Sequence, residues 1–228
     1  MGRRLGIITG SGPEAGIDLW SKVLQEQRIA LGSSYRGDID APDVTMLSVP
    51  ELGHSMGLPE TADLVWSHLQ PTCERIASQV DRFAIACNTL YYFEDAINDL
   101  DLPAQLVSPV DCVRFESERR DGLPMALLGA APVTNLAGDT SPYANLVGSV
   151  DLELHPDPGR VHALIESIKL EGGSTPILEA EFQAIAAGLE SDVAILACTE
   201  LPLLATDGIE IDLVDVTSLL ARELVNTD

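Results

Sequence analysis

Short apolar runs alternate along the chain with longer segments of helical period. Arg4–Thr9, Asp43–Val49, Phe83–Ala86, a short run ending at Val107, Met125–Gly129, Val150–Leu154, Val193–Ala197 and Ile211–Val216 read as strands. Continuous apolar runs of this length, bounded by turn residues, mark strands buried on both faces. Ile17–Leu31, Glu60–Gln79, Tyr92–Leu100, Val161–Leu170, Ile177–Leu189 and Thr217–Val225 read as helices, and Cys112 opens another. The pattern is clearest in Glu60–Gln79, where Ala62, Val65, Leu69 and Ile76 share one face. Pro71 is expected to interrupt or kink that helix. Ser48–Pro59 reads as a loop, and the chain around Tyr143 as turning helical. Strands alternating with helices predict an α/β fold with parallel sheets and right-handed crossovers.

Two stretches echo each other, Asp81–Leu90 (DRFAIACNTL) and Asp192–Leu201 (DVAILACTEL), the second starting 111 residues after the first. That offset is close to half of the 228 residues, and four of the ten positions are identical, the cysteine among them. The repeat predicts two pseudo-symmetric lobes, each a parallel sheet flanked by helices, with a site in the cleft between them. Residues 1–112 form the first lobe, with 212–228 returning to it, and 113–211 form the second. Cys87 and Cys198 each follow an apolar run, and so belong at the C-terminal end of a strand, where open α/β sheets place ligands.

Composition narrows the class. The net charge is −23, with Lys22 and Lys169 the two lysines against 36 acidic residues. That balance opposes binding to nucleic acid or an anionic membrane, and fits salt-screened surroundings or a low-pI enzyme. No apolar run approaches the roughly 20 residues of a membrane span, and the N-terminal apolar stretch is short for a signal peptide. A cytoplasmic protein is expected. The opening Met-Gly matches only part of a myristoylation pattern, since Gly6 replaces its Ser or Thr. The four cysteines have neither zinc spacing nor a C-x-x-C pair, so thiols and no metal are expected. Cys73 and Cys112, in helical stretches, read as core filling.

A thiolate can take a proton from carbon and a thiol can return one. Racemising an amino acid without a cofactor needs a base on one face of Cα and an acid on the other, which cysteines from two facing lobes supply. Helix N-termini after the strands are expected to lower the thiol pKa values. Asn88, Thr89, Thr199 and Glu200 follow the two cysteines directly, and donors there suit a substrate carboxylate.

Cys87-Asn-Thr and Ala197-Cys-Thr-Glu-Leu-Pro-Leu-Leu204 resemble the two signature segments of the aspartate/glutamate racemase family, and the resemblance extends along the whole chain. It implies a cofactor-independent isomerase of aspartate/glutamate type, with Cys87 and Cys198 as its two acid/base thiols. It also implies a small amino-acid substrate lined by Ser11, Asn88, Thr89, Lys169, Thr199 and Glu200, and a homodimer. The sequence departs from the family in three places. Tyr91 stands where the first signature has a His, Thr9-Gly10-Ser11 replaces Gly-Gly-Met, and Ser48–Pro59 lacks the loop arginine of many aspartate-type members.

Other readings compete. Gly10, Gly12 and Ala15 match a loose dinucleotide fingerprint, but Glu14 would repel a pyrophosphate, and that reading leaves the paired cysteines unexplained. A related isomerase or decarboxylase, or a catalytically silent binding protein on the same fold, stays within the resemblance.

Overall fold

The computed structural model describes residues 3–226. The Met-Gly of the myristoylation pattern and the last two residues lie outside them. The first sheet is formed by β1 (Arg4–Thr9), β2 (Asp43–Ser48), β3 (Arg82–Ile85) and β4 (Gln105–Leu106), all parallel, in the order β2-β1-β3-β4. The second is formed by β5 (Met125–Leu128), β6 (Leu152–Leu154), β7 (Val193–Leu196) and β8 (Asp212–Asp215), again parallel, in the order β6-β5-β7-β8. The two sheets therefore repeat one topology.

The helices are α1 (Pro13–Leu31), α2 (Ala62–Ala77), α3 (Glu94–Asn98), α4 (Pro109–Arg119), α5 (Ala131–Thr134), α6 (Pro158–Glu171), α7 (Pro176–Ala186) and α8 (Val216–Val225). Successive strand residues point to opposite faces, and this divides the core into three. Ile8, Phe83 and Ile85 pack outward with α2. Ala126, Leu128, Ala194 and Leu196 pack outward with α6 and α7. The inner faces share one core: Leu5, Ile7, Ala84 and Ala86 of the first sheet join Met125, Leu127, Val193, Ile195 and Ala197 of the second, with residues of α1, α4 and α8. The lobes thus share one apolar core.

Three local expectations are corrected. Pro71 does not interrupt α2; beside it the Thr72 hydroxyl bonds the His68 carbonyl at 2.7 Å. Much of the expected loop Ser48–Pro59 is 3-10 helix, Pro50–Gly57. The C-terminal stretch splits between the lobes: β8 pairs with β7, and α8 alone crosses to pack on α1 and α4. Among the described residues, no helix is long and apolar enough to cross a membrane.

Candidate active site

The two cysteines occupy matching positions. In each lobe one hydrogen bond extends the sheet past the strand end: Ala86 N–H to the Ile8 carbonyl, and Ala197 N–H to the Leu128 carbonyl, both at 2.8 Å. The next residue is the cysteine. Its carbonyl then accepts from the residue three further on, Leu90 or Leu201, at 3.2 Å in both lobes. Each sulfur is thus presented at a strand end by a tight turn, and each cysteine is 6% exposed.

Around Cys87 the neighbours are hydroxyls. Its Sγ lies 3.4 Å from Ser11 Oγ and 3.8 Å from Ser55 Oγ, and the two serine oxygens are 2.9 Å apart. Ser11 comes from the turn between β1 and α1. Ser55, fully buried, comes from the 3-10 stretch after β2. Ser55 carries no signal of its own along the chain, because a serine in an aperiodic segment matches no motif.

The second thiol has a carboxylate. Cys198 Sγ donates to Glu200 Oε2 at 2.9 Å, and the other carboxylate oxygen is ion-paired with Lys169. Lys169 Nζ, from α6, also donates to the Ser11 carbonyl at 2.9 Å. This joins the two lobes through Ser11, Lys169 and Glu200. Thr199 Oγ1 makes a second crossing, 3.2 Å from the Ala86 carbonyl and 3.3 Å from Glu200 Oε2. Burial, then the Glu200 carboxylate, push the Cys198 thiol well above the usual thiol range, with Lys169 opposing. Burial alone would lower the Lys169 ammonium, but the charges of Glu200, Cys87 and Cys198 outweigh it and hold its pKa above the usual lysine value. The expected lowering by a helix N-terminus is therefore overturned at Cys198. Only the short 3-10 turn Leu201–Leu203 follows it, and the thiol hydrogen is aimed at an anion.

Asn88 and Thr89, both buried, start the 3-10 stretch Asn88–Phe93. Asn88 Oδ1 accepts the Tyr143 hydroxyl at 2.5 Å, while its Nδ2 has no partner among the described residues. Tyr91 is tied to the backbone of its own lobe. Its hydroxyl donates to the Val107 carbonyl at 2.9 Å and accepts from Ile85 N–H at 3.0 Å. Ser11, Gly12, Gly53, Lys169 and Glu200 border a cavity of about 110 Å³. A wider cleft of about 410 Å³, at Glu94, Asp111, Arg114 and Asp139, holds none of the expected site residues. The glycine turn is closed from the other lobe: a Cβ on Gly12 would stand 2.2 Å from Glu200 Oε1.

Two like lobes, each a parallel sheet flanked by helices, make an α/β fold that solved racemase structures share. An aspartate racemase from Picrophilus torridus matches it with a TM-score of 0.80 at 19% identity, over 98% of this chain and 93% of that one. A putative Asp/Glu racemase from Yersinia pestis matches with a TM-score of 0.74 at 16% identity, over 98% and 97%. A glutamate racemase from Campylobacter jejuni subsp. jejuni matches with a TM-score of 0.65 at 13% identity, over 97% and 84%. No family model and no curated protein matches the chain. The resemblance read from the signature segments is thus borne out in the fold.

Proposed function

We propose that this protein is a cofactor-independent amino-acid racemase that passes the Cα proton between Cys87 and Cys198. The observation that carries the reading is the pairing of the two thiols: matching strand ends in facing lobes, joined by the chain Cys87–Ser11–Lys169–Glu200–Cys198. A thiolate on one face takes the Cα proton, leaving a carbanion delocalised into the carboxylate. The thiol on the other face then supplies its own proton, and the two sulfurs finish with exchanged protonation states. Asn88, Thr89 and Thr199 donate to the substrate carboxylate, with Ser11 beside the base. Glu200, neutralised by Lys169, holds the Cys198 hydrogen and keeps that thiol in its acid form between turnovers. The acidic amino acids named for the similar structures are the first substrates to try.

The test is incubation with aspartate, glutamate and a wider amino-acid panel in deuterated water, following loss of the Cα–H signal by NMR. Wild-type protein should wash out the Cα proton and equalise the enantiomers. Cys87→Ser and Cys198→Ser should each slow racemisation by roughly a thousandfold or more, a serine hydroxyl being a very weak base at neutral pH. Each single variant should still exchange the Cα proton of one enantiomer, because the remaining thiol reaches one face. Wild-type protein that binds amino acids but exchanges no Cα proton would be a binding protein, and the racemase reading would fall.

A further inference from the structure

We propose that Tyr143 is a positioning residue that fixes the Asn88 amide with its NH2 turned to the substrate carboxylate; this rests on the racemase reading above. Tyr143 lies in the second lobe, on the 3-10 turn Pro142–Leu146, and is fully buried in the core the lobes share. The Ser141 hydroxyl caps that turn, accepting from Tyr143 N–H at 3.2 Å. The Tyr143 side chain makes one hydrogen bond among the described residues, to Asn88 Oδ1. Asn88 belongs to the first lobe, adjacent to Cys87, and is 2% exposed. Its Nδ2 is one of three buried side-chain polar atoms without a partner among the described residues. Buried donors are rarely left unpaired, and one beside an acid/base thiol is a place for a ligand's acceptor.

An asparagine amide can turn over and exchange its donor and acceptor ends. The phenol decides which end faces the ligand. Its single hydrogen bonds one acceptor among the described residues, Asn88 Oδ1, so the amide is held with that oxygen toward the phenol and Nδ2 free. A hydroxyl in this place could lose the role by ionising. Burial pushes Tyr143 well above the usual phenol range, so it keeps its hydrogen at neutral pH. Because the phenol and the amide come from different lobes, the grip is complete only when the lobes are together.

The experiment compares aspartate, glutamate and alanine with their α-amides, by calorimetry and by Cα exchange, in wild type and Tyr143→Phe. The phenylalanine ring fills the same space. Wild type should prefer the acid to the amide by about tenfold or more, as expected for one charge-assisted hydrogen bond. Tyr143→Phe should raise KM about tenfold with kcat changed less than about threefold, and should erase the acid-over-amide preference. The freed Asn88 amide can then offer its oxygen to a carboxamide N–H. Asn88→Ala should remove the same preference, and Tyr143→Phe should add little on top of it. If Tyr143→Phe does not fold, Asn88→Asp carries the test: it should lose the acid and keep the amide, and unchanged acid binding would overturn the proposal. Unchanged KM and preference in Tyr143→Phe, even with a lowered Tm, would also overturn it. Wild type that prefers acids but exchanges no Cα proton would sink the racemase reading and leave the grip standing.

Discussion

Cys73 and Cys112 lie among aliphatic side chains, and burial pushes each thiol from an ordinary 9.0 up to about 12. Nearby acids, Glu74 for the first and Glu223 for the second, add to the shift. These thiols stay protonated wherever the protein works, and neither belongs to the interlobe network. Their shift still has a consequence. Between these two values an unfolded chain releases protons that the folded chain keeps, so folding stability falls as pH rises. The slope is about 1.4 kcal/mol per pH unit for each thiol. Urea unfolding at about pH 8 and about pH 10.5 should show this loss, and the double variant Cys73→Ala/Cys112→Ala should make it shallower, Cys198 still contributing. An equal slope in both proteins would refute the assignment. The echo made Cys87 and Cys198 legible in sequence, because matching strand ends carry matching residues. Ser55 and Tyr143 were not legible as site residues. Each reaches the site from an irregular segment whose position depends on tertiary packing, and neither stands at a repeat position or in a motif.

At the level of elements, the turn between β1 and α1 carries two glycines that do different work. Gly10 has φ 123°, and a Cβ there would stand 2.1 Å from the Val49 carbonyl oxygen. Gly12 has φ 115°, and its Cβ would meet the end of the Glu200 side chain. A backbone carbonyl cannot move aside, whereas a carboxylate can swing. Gly10→Ala should therefore cost roughly 2–4 kcal/mol in denaturant unfolding. Gly12→Ala should cost less stability but displace Glu200 from Lys169 and Cys198, cutting turnover about tenfold or more. Equal losses of stability, with turnover preserved in Gly12→Ala, would contradict this division. The strands were legible because buried parallel strands need unbroken apolar runs. The 3-10 stretches after β2 and β3 were not, since three residues per turn leaves no 3.6-residue stripe. α5, only four residues long, is too short to show a period at all.

Over the whole molecule, both lysines serve the junction between the sheets. Lys169 reaches from α6 to the Ser11 carbonyl, and Lys22 on α1 bonds Asp215 at the end of β8 at 2.7 Å while also pairing with Asp18. The chain as a whole carries a net charge of −23, whose self-repulsion opposes compaction. Salt should screen that repulsion, so Tm should rise between about 0.1 M and about 1 M sodium chloride, as read by calorimetry. A falling Tm would mean that attractive pairs outweigh the repulsion. The two-fold plan of the chain was legible from one repeated segment, and so was the return of α8 to the first lobe, but the membership of β8 in the second sheet was not, because an apolar run does not say which sheet it will join. That plan is broken at one point, where one thiol faces two hydroxyls and the other a carboxylate. Mirror-image amino acids have equal free energies in water, so a racemase must bring either one to the same final mixture. The Haldane relation then requires kcat/KM to be equal in the two directions. If the chain racemises as proposed, whatever Glu200 does to one thiol appears only as paired changes: the enantiomer with the lower kcat must also have the lower KM, by the same factor.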